Sequence, residues 1–594
     1  MRRLSLFTQP LPVARRALLS AGVVLAWLEQ GLASARTTRL ALAGILAVAL
    51  LAPLGPLASN RFHGDEAIYS SWGLDIASGR DVLVSGSPVD KPPLFLYVQA
   101  LSFLLFGPTE VAARLPSLAA SLASVALIYA LGRLLYRGGV GLLAAFLLAA
   151  SPFNILFAPT AFTDPLMAAW VLAGCLMAAR GRASWSGVFV GLAAITKQQG
   201  AFFLPLALGL GYVANRKSAS LQTPAPPPGP ACRPHLRWGR CRQGRQVRVC
   251  KSSGSSSLPA FPGPRPFEPS GRRGEAGAGQ PSNLSISNLQ SMHKFKIGRF
   301  ATGLLITFGL AIAWDLARGR QPGFLVQSLA SYADLPLSLA AIWERLLGFA
   351  ALLRYGTGSP VLNSVLAIGW PLLLLVGVAS ASNTSDAWKR SEACADLMLS
   401  AFMALFVAGH ALAAFVVWDR YLLGLIPLLA LLLARVLMLP WRLSEHLRFG
   451  RWLGVLFVLA MLSFTLRPLR DAAASRFPIG GDHGAYQGIE QVVGYLQTVP
   501  ADTTLYHRWL GWHWRFYLWG SPYDFRAWSS PKDLAAQAAA RPGARRYVVF
   551  PSWHSSSEAR LALADAGLVM REVQRAFRDD GSVSFIVYRI EEAP

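Results

Sequence analysis

The chain has 594 residues, of which 53% are hydrophobic and only 15% are charged. This balance excludes an ordinary soluble domain and is typical of a polytopic membrane protein. The formal net charge of +25 is also seen in nucleic-acid-binding proteins. Here, however, the basic residues follow a membrane topology rather than one folded face, so we expect no nucleic-acid partner.

The first segment, residues 1–37, is basic and amphipathic. Its start at Arg2 and Arg3 is followed by a weak apolar patch and then by Arg15 and Arg16, which is not the pattern of a cleavable signal peptide. We predict that this segment lies on the cytoplasmic surface of the membrane.

Apolar runs dominate residues 38–467, and a bilayer-spanning helix needs about 20 such residues. We predict a polytopic all-α membrane domain of about eleven transmembrane helices. The runs are 38–58, 111–135, 138–157, 164–180, 185–199, 200–214, 299–317, 357–378, 396–417, 421–439 and 452–467. Basic clusters fall in loops that would all be cytoplasmic if the N-terminus is inside. They are Arg133 and Arg137, Arg180 and Arg182, Lys389 and Arg390, and Arg442 to Arg451.

The loop after the first span, residues 59–110, is extracytoplasmic in this topology and is rich in acids. Asp65 and Glu66 open a predicted helix, where acids also complement the helix dipole and satisfy free amides. Asp90 and Lys91 precede two prolines that favour a rigid turn. After that turn, "LFLYVQALSFLLFG" is predicted to be a helix in the membrane interface.

A basic insert interrupts the membrane domain at 215–297. Its central run, 223–279, is rich in Pro, Gly, Ser and Arg and has no apolar periodicity, so we predict that the insert is disordered and cytoplasmic. Residues 215–300 hold 15 Lys or Arg and 2 Asp or Glu. The spacing of its cysteines lacks a CxxC pair, which favours unpaired thiols over a zinc site. The residues concerned are Cys232, Cys241, Cys250 and His235.

Residues 470–594 change character and are predicted to form a small α/β domain. Eleven spans from a cytoplasmic N-terminus place this domain outside the cytoplasm, whereas ten or twelve spans would place it inside. The predicted helices are 484–498, 531–540 and 556–567, and the predicted strands are 546–553 and 584–590. The aromatic stretch "YHRWLGWHWRFYLWGSPYDF" (506–525) favours packing or an interfacial belt over sugar stacking. His507 and His513 lack partners at metal-ligand spacing, so no metal site is predicted.

Several stretches together resemble one family. They are Asp65-Glu66 followed by Tyr69, "DKPPL" from Asp90, "GPTEVAARLPSLAASL" (107–122), "FTDPLMAAW" (162–170), "GLAAITKQQG" (191–200) and "WDRYLLGLIPLLALLLA" (418–434). In these stretches the chain resembles the polyprenyl-phosphate-sugar-dependent GT-C glycosyltransferases, in particular the aminoarabinose transferase and protein O-mannosyltransferase superfamily. It departs from the family pattern at "TKQQG", where "TKGP" is usual, and at Gly424, where Pro is usual.

The resemblance implies that a sugar passes from a polyprenyl-phosphate donor to a hydroxyl of a protein, lipid or cell-surface glycan at the outer face of the membrane. It implies that Asp65 is the general base and that Glu66 positions the acceptor or tunes Asp65. It implies that Tyr69 lines the substrate pocket, with packing in the protein core as the alternative. It gives Asp164 a site-shaping role, with a helix start before Pro165 as the alternative. No cofactor is implied, because the lipid-linked sugar is a substrate, and dependence on a divalent metal stays open.

The leaving lipid phosphate requires fixed cations. By the resemblance, Lys91 is the best candidate for the phosphate ligand. Three further cations lie near predicted external span ends: Arg114, Lys197 and Arg420. The guanidinium fork of an arginine suits phosphate, but the two arginines could instead snorkel or pair with a neighbouring acid such as Glu110 or Asp419.

Two other functions stay open on the sequence. A multi-span transporter also carries intramembrane charges, but transporters often have paired halves, and no internal repeat is visible here. A cell-envelope polymer ligase would carry a large external loop late in the chain and no Asp-Glu pair in the first loop. The acids clustered in the first external loop therefore favour the transferase.

Overall fold

A computed structural model describes residues 35–222, 295–330, 338–382, 386–413, 416–443 and 450–593. Almost all of the predicted N-terminal segment 1–37 lies outside these ranges, and so does most of the predicted insert 215–297 with its cysteines. What the sequence predicts for those two stretches stays a prediction.

The membrane domain is helical along its apolar runs. Its α-helices are α1 (Ala35–Leu51), α2 (Leu54–Ser59), α3 (Gly64–Ala77), α4 (Leu94–Phe106), α5 (Glu110–Leu135), α6 (Gly138–Ala149), α7 (Pro152–Phe157), α8 (Asp164–Ala179), α9 (Ala183–Thr196), α10 (Leu204–Gln222), α11 (Ile297–Arg318), α12 (Phe324–Ala330), α13 (Leu339–Leu353), α14 (Pro360–Ser382), α15 (Ala387–Leu412), α16 (Ile426–Leu437), α17 (Leu439–Leu443), α18 (Gly450–Ser463) and α19 (Leu466–Ala473). Short 3₁₀ helices lie at Gln198–Phe203, Arg354–Gly356 and Asp419–Leu422.

Each of the eleven predicted apolar runs overlaps at least one of these helices. Among the described residues, six helical segments are long and apolar enough to cross a membrane. They are Ala35–Ser59, Glu110–Leu135, Ile297–Arg318, Pro360–Ser382, Trp388–Leu412 and Leu453–Ala473. Shorter apolar helices of 10–17 residues accompany them. The polytopic helical body is therefore confirmed, and the count of eleven spans stays a prediction.

A charged cluster is buried inside this helical body. Arg435 on α16 donates hydrogen bonds to both carboxylate oxygens of Asp396 on α15, at 3.0 and 2.6 Å. Its guanidinium also lies 3.5 Å from the carboxylate of Glu392 and 4.1 Å from the ring centre of Tyr136. Because buried charges are costly without partners, this cluster ties α15 to α16.

The loop at residues 59–110, which the sequence predicts to be external and which we call the first external loop, contains the two predicted helices α3 and α4. One face of α4 is open: Leu101, Leu104, Leu105 and Phe106 are each more than half exposed. A row of exposed apolar side chains suits a helix that lies in the membrane interface. The loop thus starts with a buried helix and ends with a helix suited to contact lipid.

The C-terminal domain is a five-stranded mixed sheet with helices on both faces. Its strands are β1 (Thr503–His507), β2 (Asp524–Ala527), β3 (Arg545–Pro551), β4 (Leu568–Phe577) and β5 (Val583–Glu592), in the order β2-β1-β3-β5-β4. β1 pairs in parallel with β2 and β3, and β5 pairs antiparallel with β3 and β4. The helices are α20 (Ile489–Leu496), α21 (Gly511–Tyr517), α22 (Pro531–Ala539) and α23 (Ser557–Asp565). The predicted α/β class is confirmed.

One predicted helix of this domain, 484–498, is shorter than expected. The helix begins only at Ile489, because Gly480, Gly481, Gly484 and Gly488 all have positive φ angles of 69° to 88°. A left-handed backbone cannot continue a right-handed helix, and glycine adopts it without steric cost. Residues 480–488 therefore form a chain of turns, which we call the glycine turn.

The aromatic stretch 506–525 packs the C-terminal domain onto the first external loop. His513 donates a hydrogen bond to the carbonyl of Phe62 at 3.0 Å, and the Phe62 and Phe516 rings meet edge to face at 4.7 Å. The Tyr517 hydroxyl donates to Glu110 at 2.6 Å. Of the alternatives that the sequence leaves open for this stretch, these contacts favour packing.

Candidate functional site

The start of α3 is fixed by a reciprocal cap. His63 is the N-cap residue, and its Nδ1 accepts a hydrogen bond from the backbone N–H of Asp65 at 3.2 Å. The Glu66 carboxylate in turn accepts from the backbone N–H of His63 at 2.9 Å. Because His63 and Glu66 supply the cap, the carboxylate of Asp65 is not needed for it. His63 is not among the residues predicted from the sequence, although its position directly before Gly64-Asp65-Glu66 is a signal for an N-cap.

Glu66 belongs to a buried network rather than to an open surface. Its side chain is fully buried. One carboxylate oxygen accepts from Arg114 Nε at 3.2 Å and from the backbone N–H of Ala161 at 2.7 Å. Arg114 is buried as well and also donates to Glu110 and to the carbonyl of Asn60. These contacts join α3, α5 and the chain before α8, so Glu66 and Arg114 hold the loop in place.

Asp65 points the other way and pairs with Arg420. The two side chains form a hydrogen-bonded ion pair, with 29% of the Asp65 side chain and 14% of the Arg420 side chain exposed. Burial disfavours the charged carboxylate, but the positive charge and hydrogen bond of Arg420 outweigh it and hold the pKa of Asp65 below its ordinary value. Asp65 is therefore ionised at neutral pH and accessible to solvent.

Two lysines complete the positive side of the site. Lys197, at the end of α9, donates to Asp164 at 2.5 Å and lies 4.5 Å from the ring centre of Tyr421. Lys91 forms an ion pair with its neighbour Asp90. The carbonyl of Asp90 accepts from the Gln198 side chain at 2.6 Å, which connects the first loop to the segment after α9.

These groups are near enough to act on one another through space. Asp65 interacts electrostatically with Arg420, His63 and Lys91. Lys197 interacts in the same way with Asp164, Arg420 and Lys91. Tyr69, buried on α3, is in the electrostatic reach of Asp65 and Arg420. We call the set Asp65, Tyr69, Lys91, Asp164, Lys197 and Arg420 the interface cluster.

The structure thus sorts the eight predicted site residues into two groups. Six form the interface cluster, whereas Glu66 and Arg114 lie in the buried network behind it. The predicted alternative for Arg114, pairing with Glu110, is the arrangement observed. The roles predicted for all eight in catalysis and binding stay predictions. Among the described residues, no group of three or more His, Cys, Asp or Glu side chains is placed to hold a metal ion.

Both departures from the family pattern lie at the back of the interface cluster. Gln199, in "TKQQG", donates to the carbonyl of Tyr421 at 3.0 Å. Gly424 faces Phe203, whose ring would lie 2.5 Å from a Cβ at this position. The two segments that carry Lys197 and Arg420 therefore pack directly on each other, and the absence of a side chain at Gly424 permits the close approach.

Comparisons with known proteins give a family match over one segment and a fold match over nearly the whole chain. The family described as dolichyl-phosphate-mannose-protein mannosyltransferase matches residues 90–226. A Bacillus subtilis (strain 168) protein, YycA, which carries the name of a mannosyltransferase, is 30% identical over 138 residues. That alignment covers 22% of this chain and 20% of the length of YycA.

The solved structures of ArnT from Cupriavidus metallidurans resemble nearly the whole chain. The form bound to undecaprenyl phosphate has a TM-score of 0.54 and 14% identity and covers 94% of this chain and 98% of ArnT. The apo form has a TM-score of 0.56 and 15% identity, with the same coverage. At this identity the likeness establishes the fold, so the predicted GT-C architecture with a small C-terminal α/β domain is confirmed.

Proposed function

We propose that this protein is an integral-membrane glycosyltransferase. It moves a sugar from a polyprenyl-phosphate donor to a hydroxyl acceptor at the outer face of the membrane, with Asp65 as general base. The observation that carries the proposal is the interface cluster, in which the accessible, ionised carboxylate of Asp65 is paired with Arg420 and lies within electrostatic reach of Lys91. The undecaprenyl phosphate bound by ArnT supports a donor of this class.

The residues of the cluster suit each part of the reaction. The acceptor oxygen attacks the anomeric carbon while Asp65 takes its proton. The bond between that carbon and the phosphate oxygen breaks, and the polyprenyl phosphate leaves with an added negative charge. Fixed cations stabilise that charge best where water is partly excluded. Lys91, Lys197 and Arg420 would serve this purpose, and the exposed apolar face of α4 would lie beside the lipid tail.

The placement of the site on the extracytoplasmic face of the membrane rests on the distribution of the basic loops. If the basic loops face the cytoplasm, the first external loop and the C-terminal domain lie on the opposite side.

Glycosyl transfer is tested by incubating the purified protein with a panel of polyprenyl-phosphate sugars and a mixed set of hydroxyl acceptors, and following the release of polyprenyl phosphate. Release with none of the donors would contradict the proposal.

Arg420 gives the reaction a specific pH dependence. In the free protein, Arg420 lowers the pKa of Asp65. A donor phosphate would draw Arg420 away and add a negative charge, so the pKa of Asp65 should rise in the complex. Because the base must be ionised, we expect the acid limb of kcat to lie at higher pH than the acid limb of kcat/KM. The two profiles report the bound and the free enzyme, respectively.

The control for this pH dependence is Arg420→Gln. Without the guanidinium, the acid limb of kcat/KM should move up toward that of kcat in the residual activity. Coincident acid limbs in the wild-type protein would show that Arg420 does not exchange between Asp65 and the donor.

Lys91 is expected to contribute to donor binding. Its Nζ is paired only with the adjacent Asp90 among the described contacts, and a charged hydrogen bond to phosphate contributes about 1.5–3 kcal/mol. Lys91→Ala should therefore lower kcat/KM for the donor by about tenfold to hundredfold, while Lys91→Arg keeps part of the activity. Steady-state kinetics at varied donor concentration measure this change.

Lys532→Ala is the matched control, because Lys532 is an exposed lysine on the C-terminal domain and should leave donor kinetics unchanged. Equal donor kinetics in the wild type and Lys91→Ala would remove Lys91 from the phosphate site.

A further inference from the structure

A polar cavity of about 560 Å³ lies between the membrane domain and the C-terminal domain. Its lining comes from distant segments: the end of α2, the chain before α20, including the glycine turn, and the turn between β4 and β5. Its volume is in the range of about 300–1,000 Å³ that is usual for small-molecule sites. We call it the junction cavity.

The inner end of the junction cavity lies next to the interface cluster. The backbone N–H of Gly480 donates to the carboxylate of Asp419 at 2.8 Å, and Asp419 directly precedes Arg420. Gly480 also presses on Leu156, whose Cβ would lie 3.0 Å from a Cβ placed on Gly480. Leu156 and Gly480 thus form one wall of the cavity, and this wall adjoins the segment that carries Arg420.

The outer part of the cavity offers more hydrogen-bond acceptors than donors. The carboxylates of Asp579 and Asp580 line it and are exposed. Arg578, beside them, already donates hydrogen bonds to Gly484, Ser582, Val583 and Ser552. Its charge therefore fixes the turn, and few of its donors are left for a ligand. A ligand that donates many hydrogen bonds fits such a surface.

The remaining lining adds an apolar wall and neutral polar groups. Phe477 is a partly buried aromatic side chain in the cavity wall, and Gln487 donates to Asp579 at 3.1 Å. Burial lowers the pKa of His483, so its ring is neutral at neutral pH. His483 also has a φ of 51°, a strained backbone state for a residue with a side chain.

From this lining we infer that the junction cavity binds the end of a neutral glycan, which is the hydroxyl acceptor of the reaction proposed above. A sugar ring presents an apolar face to Phe477 and several hydroxyl donors to Asp579 and Asp580. An anionic acceptor would meet two carboxylates and find little free positive charge. An extended peptide would need a long groove or an open sheet edge, whereas none of the residues that line this cavity belongs to a strand.

The inference rests on the proposed function, but its test does not need the donor. The full chain in lipid nanodiscs is mixed with four probes: mannotetraose, cellotetraose, a phosphorylated glucosamine disaccharide and a Ser/Thr-rich hexapeptide. Saturation-transfer NMR reports which probe binds. We expect binding of at least one neutral tetrasaccharide, and about tenfold weaker binding in Phe477→Ala and in Asp579→Asn, because each change removes a contact to the sugar.

Asp565→Asn is the matched control, because Asp565 is an exposed aspartate at the end of α23. It should bind the tetrasaccharide as the wild type does. Asp579 lies in an exposed turn, so its variant tests the cavity even if Phe477→Ala does not fold.

The outcomes separate this inference from the proposed function. Binding of a neutral tetrasaccharide that depends on Phe477 and Asp579, with no release of polyprenyl phosphate from any donor, supports the glycan site and contradicts the transferase. Release of polyprenyl phosphate with the peptide or the phosphorylated disaccharide as the only acceptor supports the transferase and overturns the glycan site. Failure of both neutral tetrasaccharides to bind also overturns the glycan site.

Discussion

Asp65→Asn is expected to reduce sugar transfer by roughly 10²–10⁴-fold, which is the usual contribution of a positioned general base. Asparagine has nearly the same size and can still accept a hydrogen bond from Arg420, but it cannot take the proton of the acceptor hydroxyl. The helix start should survive, because His63 and Glu66 provide the cap of α3. Single-turnover transfer by folded protein, with donor binding measured separately, gives the comparison.

Glu490→Gln is the control for this experiment. Glu490, on α20, is an exposed carboxylate that pairs at 3.1 Å with Arg61 of the loop that carries Asp65, so its neutralisation should change transfer little. Near-normal turnover by folded Asp65→Asn protein would contradict the role of Asp65 as general base and leave it only as the ion-pair partner of Arg420.

Glu66→Gln is expected to lower the free energy of unfolding by about 3–5 kcal/mol, the usual loss when one member of a buried ion pair is removed. An amide would present a donor group where the carboxylate now accepts three hydrogen bonds, from His63, Arg114 and Ala161. The charge of Arg114 would also lose its fully buried partner. Thermal and chemical unfolding of the purified protein measures the loss.

Glu110→Gln tests whether the buried position of Glu66 matters. Glu110 also pairs with Arg114, but its side chain is 21% exposed, so the loss of stability should be clearly smaller. Equal stability of Glu66→Gln and the wild type would contradict the structural role of Glu66. A stable Glu66→Gln protein with slow transfer would instead favour the tuning of Asp65 that the sequence predicts.

The sequence predicts the helical body and the acidic first loop well, because both depend on local composition. It could not separate Asp65 from Glu66. The two residues are neighbours in the chain, and their different environments come from Arg420 and Arg114, which lie 355 and 48 residues away from their respective partners. Only the packing of α5 and of the segment before α16 against α3 decides which carboxylate is buried.

The shortened helix before β1 has a local cause that periodicity hides. Residues 484–498 have apolar residues at helical spacing, but Gly484 and Gly488 adopt left-handed backbone angles. The same turns help to form the junction cavity, whose lining is drawn from segments as distant as Asn60 and Asp580. A cavity of this kind has no sequence motif, because no single segment carries enough of it.

The cluster of Arg435, Glu392 and Asp396 bears on the biosynthesis of the protein. A charged side chain at the centre of an isolated helix opposes insertion by roughly 2.5–3.5 kcal/mol on translocon scales. Asp396 is made 39 residues before Arg435, so α15 emerges from the ribosome before its counter-charge exists. We therefore expect α15 to stay beside the translocon until α16 is made. The two helices would then enter the lipid together, as a hairpin in which Arg435 neutralises charge on α15.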